Sequence, residues 1–167
     1  MKQAYFLLIL FTGSSLQACR HDTADYQMAD DEFISAVYPE IIYQRQLNLV
    51  MIDAVQDMHL SQYGQKRDVA LQSYLQELMV TDPDYDKQIT LSDEHNRMLA
   101  ILKQQVGAMQ KDMLLKLLID SDQLLIGLHV KASGPVGLKN ADLRSWAEKR
   151  IAHWTQDLSG LQVLDGL

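Results

Sequence analysis

LSDEHNRMLAILKQQVGAMQKDMLLKLLIDSDQLLIGLHVK, residues 91–131, carries the pattern that decides the fold. Apolar residues recur through it in steps of three, four or seven, at Leu99, Leu102, Val106, Met109, Met113, Leu117, Leu124 and Leu128, on one stripe of a helix. A second stripe, Leu114, Leu118, Asp122, Leu125 and His129, lies beside it. So broad an apolar surface is unstable alone in water, and the remaining segments therefore read as its partners in a bundle. Gly107 is the soft point of the stretch and divides it into helices expected at 91–105 and 108–132, meeting in a kink or tight turn.

The flanking segments supply those partners. A helix is expected from residue 31 or 32 to about 59, with acidic residues suiting its N-terminal dipole and Phe33, Val37, Ile41, Leu47, Met51, Ala54 and Met58 on its apolar stripe. Pro39 either kinks it or leaves 33–38 as a separate turn. Glu40 and Gln44 fall on the buried side of this helix and need polar partners there. Residues 61–64 read as a break, followed by a helix over 65–80 with Val69, Leu71, Leu75, Leu78 and Met79 inward. Pro83 and its Asp and Thr neighbours end it. Thr90 with Asp93 forms an Asp variant of a capping box for the central stretch. Residues 133–137, SGPVG, stop that stretch. Asn140 is the expected N-cap of a last helix with Leu143, Ala147, Ile151, Trp154, Leu158 and Leu161 inward, and Trp146 and Trp154 read as packing residues.

Composition agrees with one helical domain: 167 residues, 47% hydrophobic, with only 3 Pro and 8 Gly to interrupt helices. The formal net charge is -7, and removal of residues 1–18 takes away Lys2 and no acid, leaving 14 basic and 22 acidic residues, or -8. That balance repels nucleic acid and anionic lipid, and the scattered acids read as a solvated surface.

The N-terminus gives an address. A basic start at Lys2, an apolar run over 4–11 and a small polar segment over 12–15 form an export signal, since eight apolar residues fall short of the roughly twenty that span a bilayer. Leu16-Gln17-Ala18-Cys19 then has the form of a bacterial lipobox, with small Ala18 at the cleavage position and the Cys19 thiol as the acylated nucleophile. Cys19 is the single cysteine, so no disulfide partner exists within the chain. The expected organisation is a lipoprotein signal peptide over 1–18, a flexible tether over 19–31 reaching roughly 40 Å when extended, and a helical bundle over 32–162. Two or more acyl chains on Cys19 give stable anchoring without a spanning helix.

Phe33, Ala36 and Glu40, a hairpin ending in Met79-Val80-Thr81-Asp82, Gly107 before a long apolar helix, and a final helix near 146–161 together give the chain a family resemblance. It resembles an uncharacterised bacterial family of ferritin-like helical proteins, a domain of unknown function associated with the outer membrane. The resemblance implies an all-α fold, an antiparallel four-helix bundle with an extra short helix, an envelope location and no established activity. Three positions at which that family tends to carry histidine hold Pro83, Asp122 and Asp157 here, which weakens any histidine or metal chemistry carried over from it.

The residues themselves give two functional readings. Ferritin-like metal sites draw a Glu from each of two helices and Glu-x-x-His from the others, and no Glu-x-x-His occurs here, while His21, His59, His95, His129 and His153 are scattered. A Gly-rich phosphate loop and a Gly-x-Ser-x-Gly elbow are also missing. The favoured reading is a lipid-anchored structural or interaction module without catalytic activity or cofactor, attached to the membrane through Cys19, meeting an envelope protein partner and no nucleic acid. In it Glu40, Gln44, Asp122, Arg150 and Asp157 form a buried polar layer that fixes helix register. The alternative is a metal-binding or redox protein in which Glu40, Asp82, Asp122 and Asp157 hold iron or manganese. A metal site requires those carboxylates at one level of the bundle.

Overall fold

The computed structural model describes residues 28–53, 57–81 and 90–166. Five helices occupy nearly all of them: α1 (Asp30–Asp53), α2 (Met58–Thr81), α3 (Asp93–Gln104), α4 (Gly107–Ser133) and α5 (Ala141–Asp165). Together they form a helical bundle. The one extended contact among the described residues is a bridge between Met28 and Leu138, which ties the start of the bundle to the turn between α4 and α5. No helix of the described residues is long and apolar enough to cross a membrane.

Each helix end has a local cause. Asp30, Asp31 and Glu32 fill the first turn of α1. Pro39 lies inside that helix without ending it, where its missing N–H leaves the carbonyl of the exposed Ser35 to water. Asp57 accepts from the amides of His59 and Leu60 and so caps α2. The helix break therefore precedes residue 58, and the break expected at 61–64 is absent. Gly64 continues α2 and serves packing, since a Cβ there would stand 2.9 Å from Ile52 Cγ1. Ser92, not Thr90, caps α3 by accepting from His95 N. Gln105 and Val106 are extended, and Gly107 turns the chain into α4 at φ 60°. Asn140 caps α5 through the amides of Asp142 and Leu143.

Along α4 the second of the two apolar stripes is the buried one, while on α3 Leu99 and Leu102 of the first are buried. Leu114, Leu118, Asp122, Leu125 and His129 are closed to solvent, whereas Val106, Met109 and Leu124 of the first are exposed. Val69 and Met79 of α2 likewise point outward, contrary to expectation, while Leu71, Leu75 and Leu78 are buried. The register of α2 explains this: Leu60, Gly64, Arg67, Leu71, Tyr74 and Leu78 recur at three and four on its inner face.

The core has two apolar halves. One gathers Phe33, Val37, Ile41, Leu71, Tyr74, Leu78, Leu125 and Trp154. The other gathers Tyr43, Leu47, Met51, Leu60, Leu99, Leu102, Leu114, Leu118 and Leu161. Polar residues mark the boundary between the two halves on every long helix: 67 on α2, 121 and 122 on α4 and 157 on α5 lie between them, and 40 and 44 on α1 flank it. Residues 1–27 lie outside the described residues, so the signal peptide and most of the tether do too. The bundle extends beyond the expected 32–162 at both ends, since Met28 is buried and α5 runs to Asp165.

Candidate functional site

The polar layer is the chemically distinctive part of the interior. Asp122 is fully buried, and its Oδ1 accepts from Arg67 Nη2 and, at 2.6 Å, from Gln44 Nε2. The same Arg67 Nη2 donates to Gln44 Oε1 at 2.8 Å. Three side chains from α1, α2 and α4 thus close a ring of hydrogen bonds, and both amide ends of Gln44 are satisfied by it. Burial pushes the Asp122 carboxyl up to about 6, against the pull of the Arg67 guanidinium and the Gln44 amide. Asp157 of α5 stands behind Arg67, with its Oδ2 4.0 Å from Arg67 Nε and 3.8 Å from His153 Nε2.

Glu40 belongs to the same layer but to a different set of partners. Ser121 Oγ donates to its Oε1, and His95 Nε2 lies 3.2 Å from its Oε2. His95 reaches there from α3 and stacks on Tyr43, with ring centroids 4.1 Å apart and planes 6° from parallel. Burial, with Glu40 nearby, pushes the Tyr43 hydroxyl up to about 12.

Two turns toward the Met28 end, His129 sits among Phe33, Tyr74, Trp146 and Trp154. Its Nδ1 lies 2.6 Å from the Leu125 carbonyl and must donate there, which leaves Nε2 to accept from the Tyr74 hydroxyl at 2.8 Å. Both nitrogens are satisfied in the neutral ring, and burial lowers the imidazole to about 4. Trp154 is buried here and Trp146 half-buried, as packing residues.

Of the residues singled out in the sequence, Glu40, Gln44, Asp122 and Asp157 share one level of the bundle. Arg150 does not join them. It pairs with Glu77 beside Trp146, over the Tyr74 and Trp146 rings, because it lies two turns of α5 away from Asp157. Asp82, Leu16, Ala18 and Cys19 lie outside the described residues. Sequence reasoning missed Arg67, the cation of the layer, and Ser121. The signal for Arg67 was its place on the apolar spacing of α2, which the misplaced break at 61–64 concealed.

Among the described residues no three His, Cys, Asp or Glu side chains converge as a metal site. Comparison with protein families, with curated proteins and with solved structures yields no match.

Proposed function

We propose that this chain is a lipid-anchored helical-bundle protein of the cell envelope, held at the outer membrane through Cys19, with a structural or interaction role. The lipobox supports the anchor. A ferritin-like antiparallel four-helix arrangement is supported by the order of the side-chain pairs. Along α1 and α2 these run in opposite senses, with Arg45 near Asp68 and Asn48 Nδ2 bonded to the Gly64 carbonyl. Along α2 and α4 they run in the same sense, Arg67 with Asp122 and Tyr74 with His129, across the long connection that contains α3.

The observation that carries the structural reading is the presence of Arg67 inside the carboxylate layer. Its guanidinium supplies there the positive charge that a metal ion would supply, and Ser121, His95 and Gln44 occupy further carboxylate oxygens or compete for them. Membrane fractionation tests the address: wild type should partition with the outer membrane and Cys19→Ser should not. Retention of Cys19→Ser in the membrane fraction would overturn the anchor.

A single observation favours the second reading, a ferritin-like iron or manganese protein: Glu40, Asp122 and Asp157 stand at one level. Elemental analysis of protein produced with both metals available separates the two. The structural reading expects metal well below one equivalent; stoichiometric metal that is lost in Asp122→Ala would replace it by the metal reading.

A further inference from the structure

Between α2 and α5 a cleft of about 380 Å³ opens to solvent, lined by Tyr63, Lys66, Arg67, His153, Gln156 and Asp157. Its inner wall is Arg67, only 2% exposed. Nη2 of that guanidinium faces Asp122 and Gln44, whereas Nε and Nη1 have no hydrogen-bond partner. Asp157 Oδ2 has none either, because its distances to Arg67 and His153, 4.0 and 3.8 Å, exceed hydrogen-bond length. Folded proteins leave few buried polar atoms unsatisfied, and charged ones are the most costly. Three of the seven such side-chain atoms among the described residues lie on this one cleft.

The lining is rich in donors. Arg67 presents the three N–H groups of Nε and Nη1, Lys66 is exposed and without an ion pair among the described residues, and His153 and Gln156 add further N–H groups. Asp157 is the one carboxylate facing them. The Tyr63 hydroxyl donates to the Asp157 carbonyl at 3.0 Å and stands close enough to Arg67 to feel its charge. Gly160 makes room for that ring, since a Cβ there would come within 2.6 Å of the hydroxyl.

We propose that this cleft binds a small molecule through an oxyanion, a carboxylate or phosphate group, held by Arg67, Lys66 and His153. The oxyanion enters between the guanidinium and the Asp157 carboxylate, which turns outward and opposes it. Guanidinium and ammonium groups match this chemistry, because charge-assisted hydrogen bonds to an oxyanion are the strong ones. The site goes beyond the structural reading and does not depend on the lipid anchor.

Calorimetric titration of the mature chain with inorganic phosphate, and separately with acetate, at fixed ionic strength tests this. Saturable one-site binding of at least one anion is expected, and the anion preferred identifies the phosphate or carboxylate source. Lys66→Gln alters an exposed side chain and Asp157→Asn keeps the size and shape of the group it replaces, so each should fold. The first should weaken binding by about tenfold, and the second should tighten it by about as much. Absence of saturable binding of either anion overturns the proposal. So does an affinity that neither substitution changes.

Discussion

Arg67 of α2 donates to Asp122 of α4 across a separation of 55 residues, with side chains 1% and 0% exposed. The pair sits between two apolar halves of one core. A slip of α2 against α4 by one turn would bring the guanidinium and the carboxylate into hydrocarbon without each other, which is far more costly than moving one leucine past another. The pair thereby selects one register among several that apolar packing alone would tolerate.

Two buried titrating groups oppose each other in acid. His129 is lowered from 6.5 to about 4, so its contribution is present above pH 6.5 and lost as pH falls toward 4, when the unfolded chain takes up a proton first. Over that window the loss is about 3 kcal/mol. Asp122 is raised from 3.8 to about 6, so its contribution is present below pH 3.8 and lost as pH rises through 6. In wild type the two slopes largely cancel. Asp122→Asn removes one of them, and its thermal midpoint should fall more steeply between pH 6.5 and 4 than that of wild type. Parallel curves would contradict the assignment.

Three glycines should respond differently to alanine. At Gly64 the new methyl would meet Ile52 at 2.9 Å and Met51 at 3.2 Å, and the variant should lose about 1–3 kcal/mol to overpacking. Gly107 has open space but a φ of 60°, so alanine there should cost about 1 kcal/mol in backbone strain. Gly127 is inside α4 with nothing near its Cβ position, and alanine should stabilise by about 0.5–1 kcal/mol. Urea unfolding of the three variants checks both the signs and their order.

The attachment of α3 is local. Leu99 and Leu102 bury its apolar side, and His95 holds its first turns through Tyr43 and Glu40. His95→Ala should accelerate amide exchange in α3 by about fivefold, in line with a loss near 1 kcal/mol, and leave α2, α4 and α5 unchanged. Equal acceleration in all helices would show that α3 is not an independently opening unit.

The central stretch was legible because five residues at regular spacing, Leu114 to His129, describe the buried face directly. The start of α5 was legible because Asn140 caps it directly after a clear stop, whereas Asp57 and Ser92, which cap α2 and α3 in the same way, were not read as caps. The break between α1 and α2 was not. Ser61 and Gly64 look like a turn, yet in the fold Gly64 is a point of close approach and Ser61 Oγ bonds back to the Ile52 carbonyl. That one error moved Arg67 to the margin of its helix and hid the cation of the polar layer. Glu40, Gln44 and Asp122 were readable as buried from periodicity alone, but their common level depends on helix offsets that tertiary packing sets. Arg150 shows the same limit. Its residue type and helix face suited the layer, while its height along α5 puts it on Glu77.

The most direct test of the account is a double-mutant cycle on Arg67→Met and Asp122→Leu, read as unfolding free energy in denaturant. Each single variant leaves a buried charge without its partner and should lose about 3–5 kcal/mol. The double variant should lose no more than the worse single one, which gives a coupling energy of about 3 kcal/mol. Losses that simply add would contradict the account, because they would mean that Arg67 and Asp122 act apart and that no ion pair sets the register of the bundle.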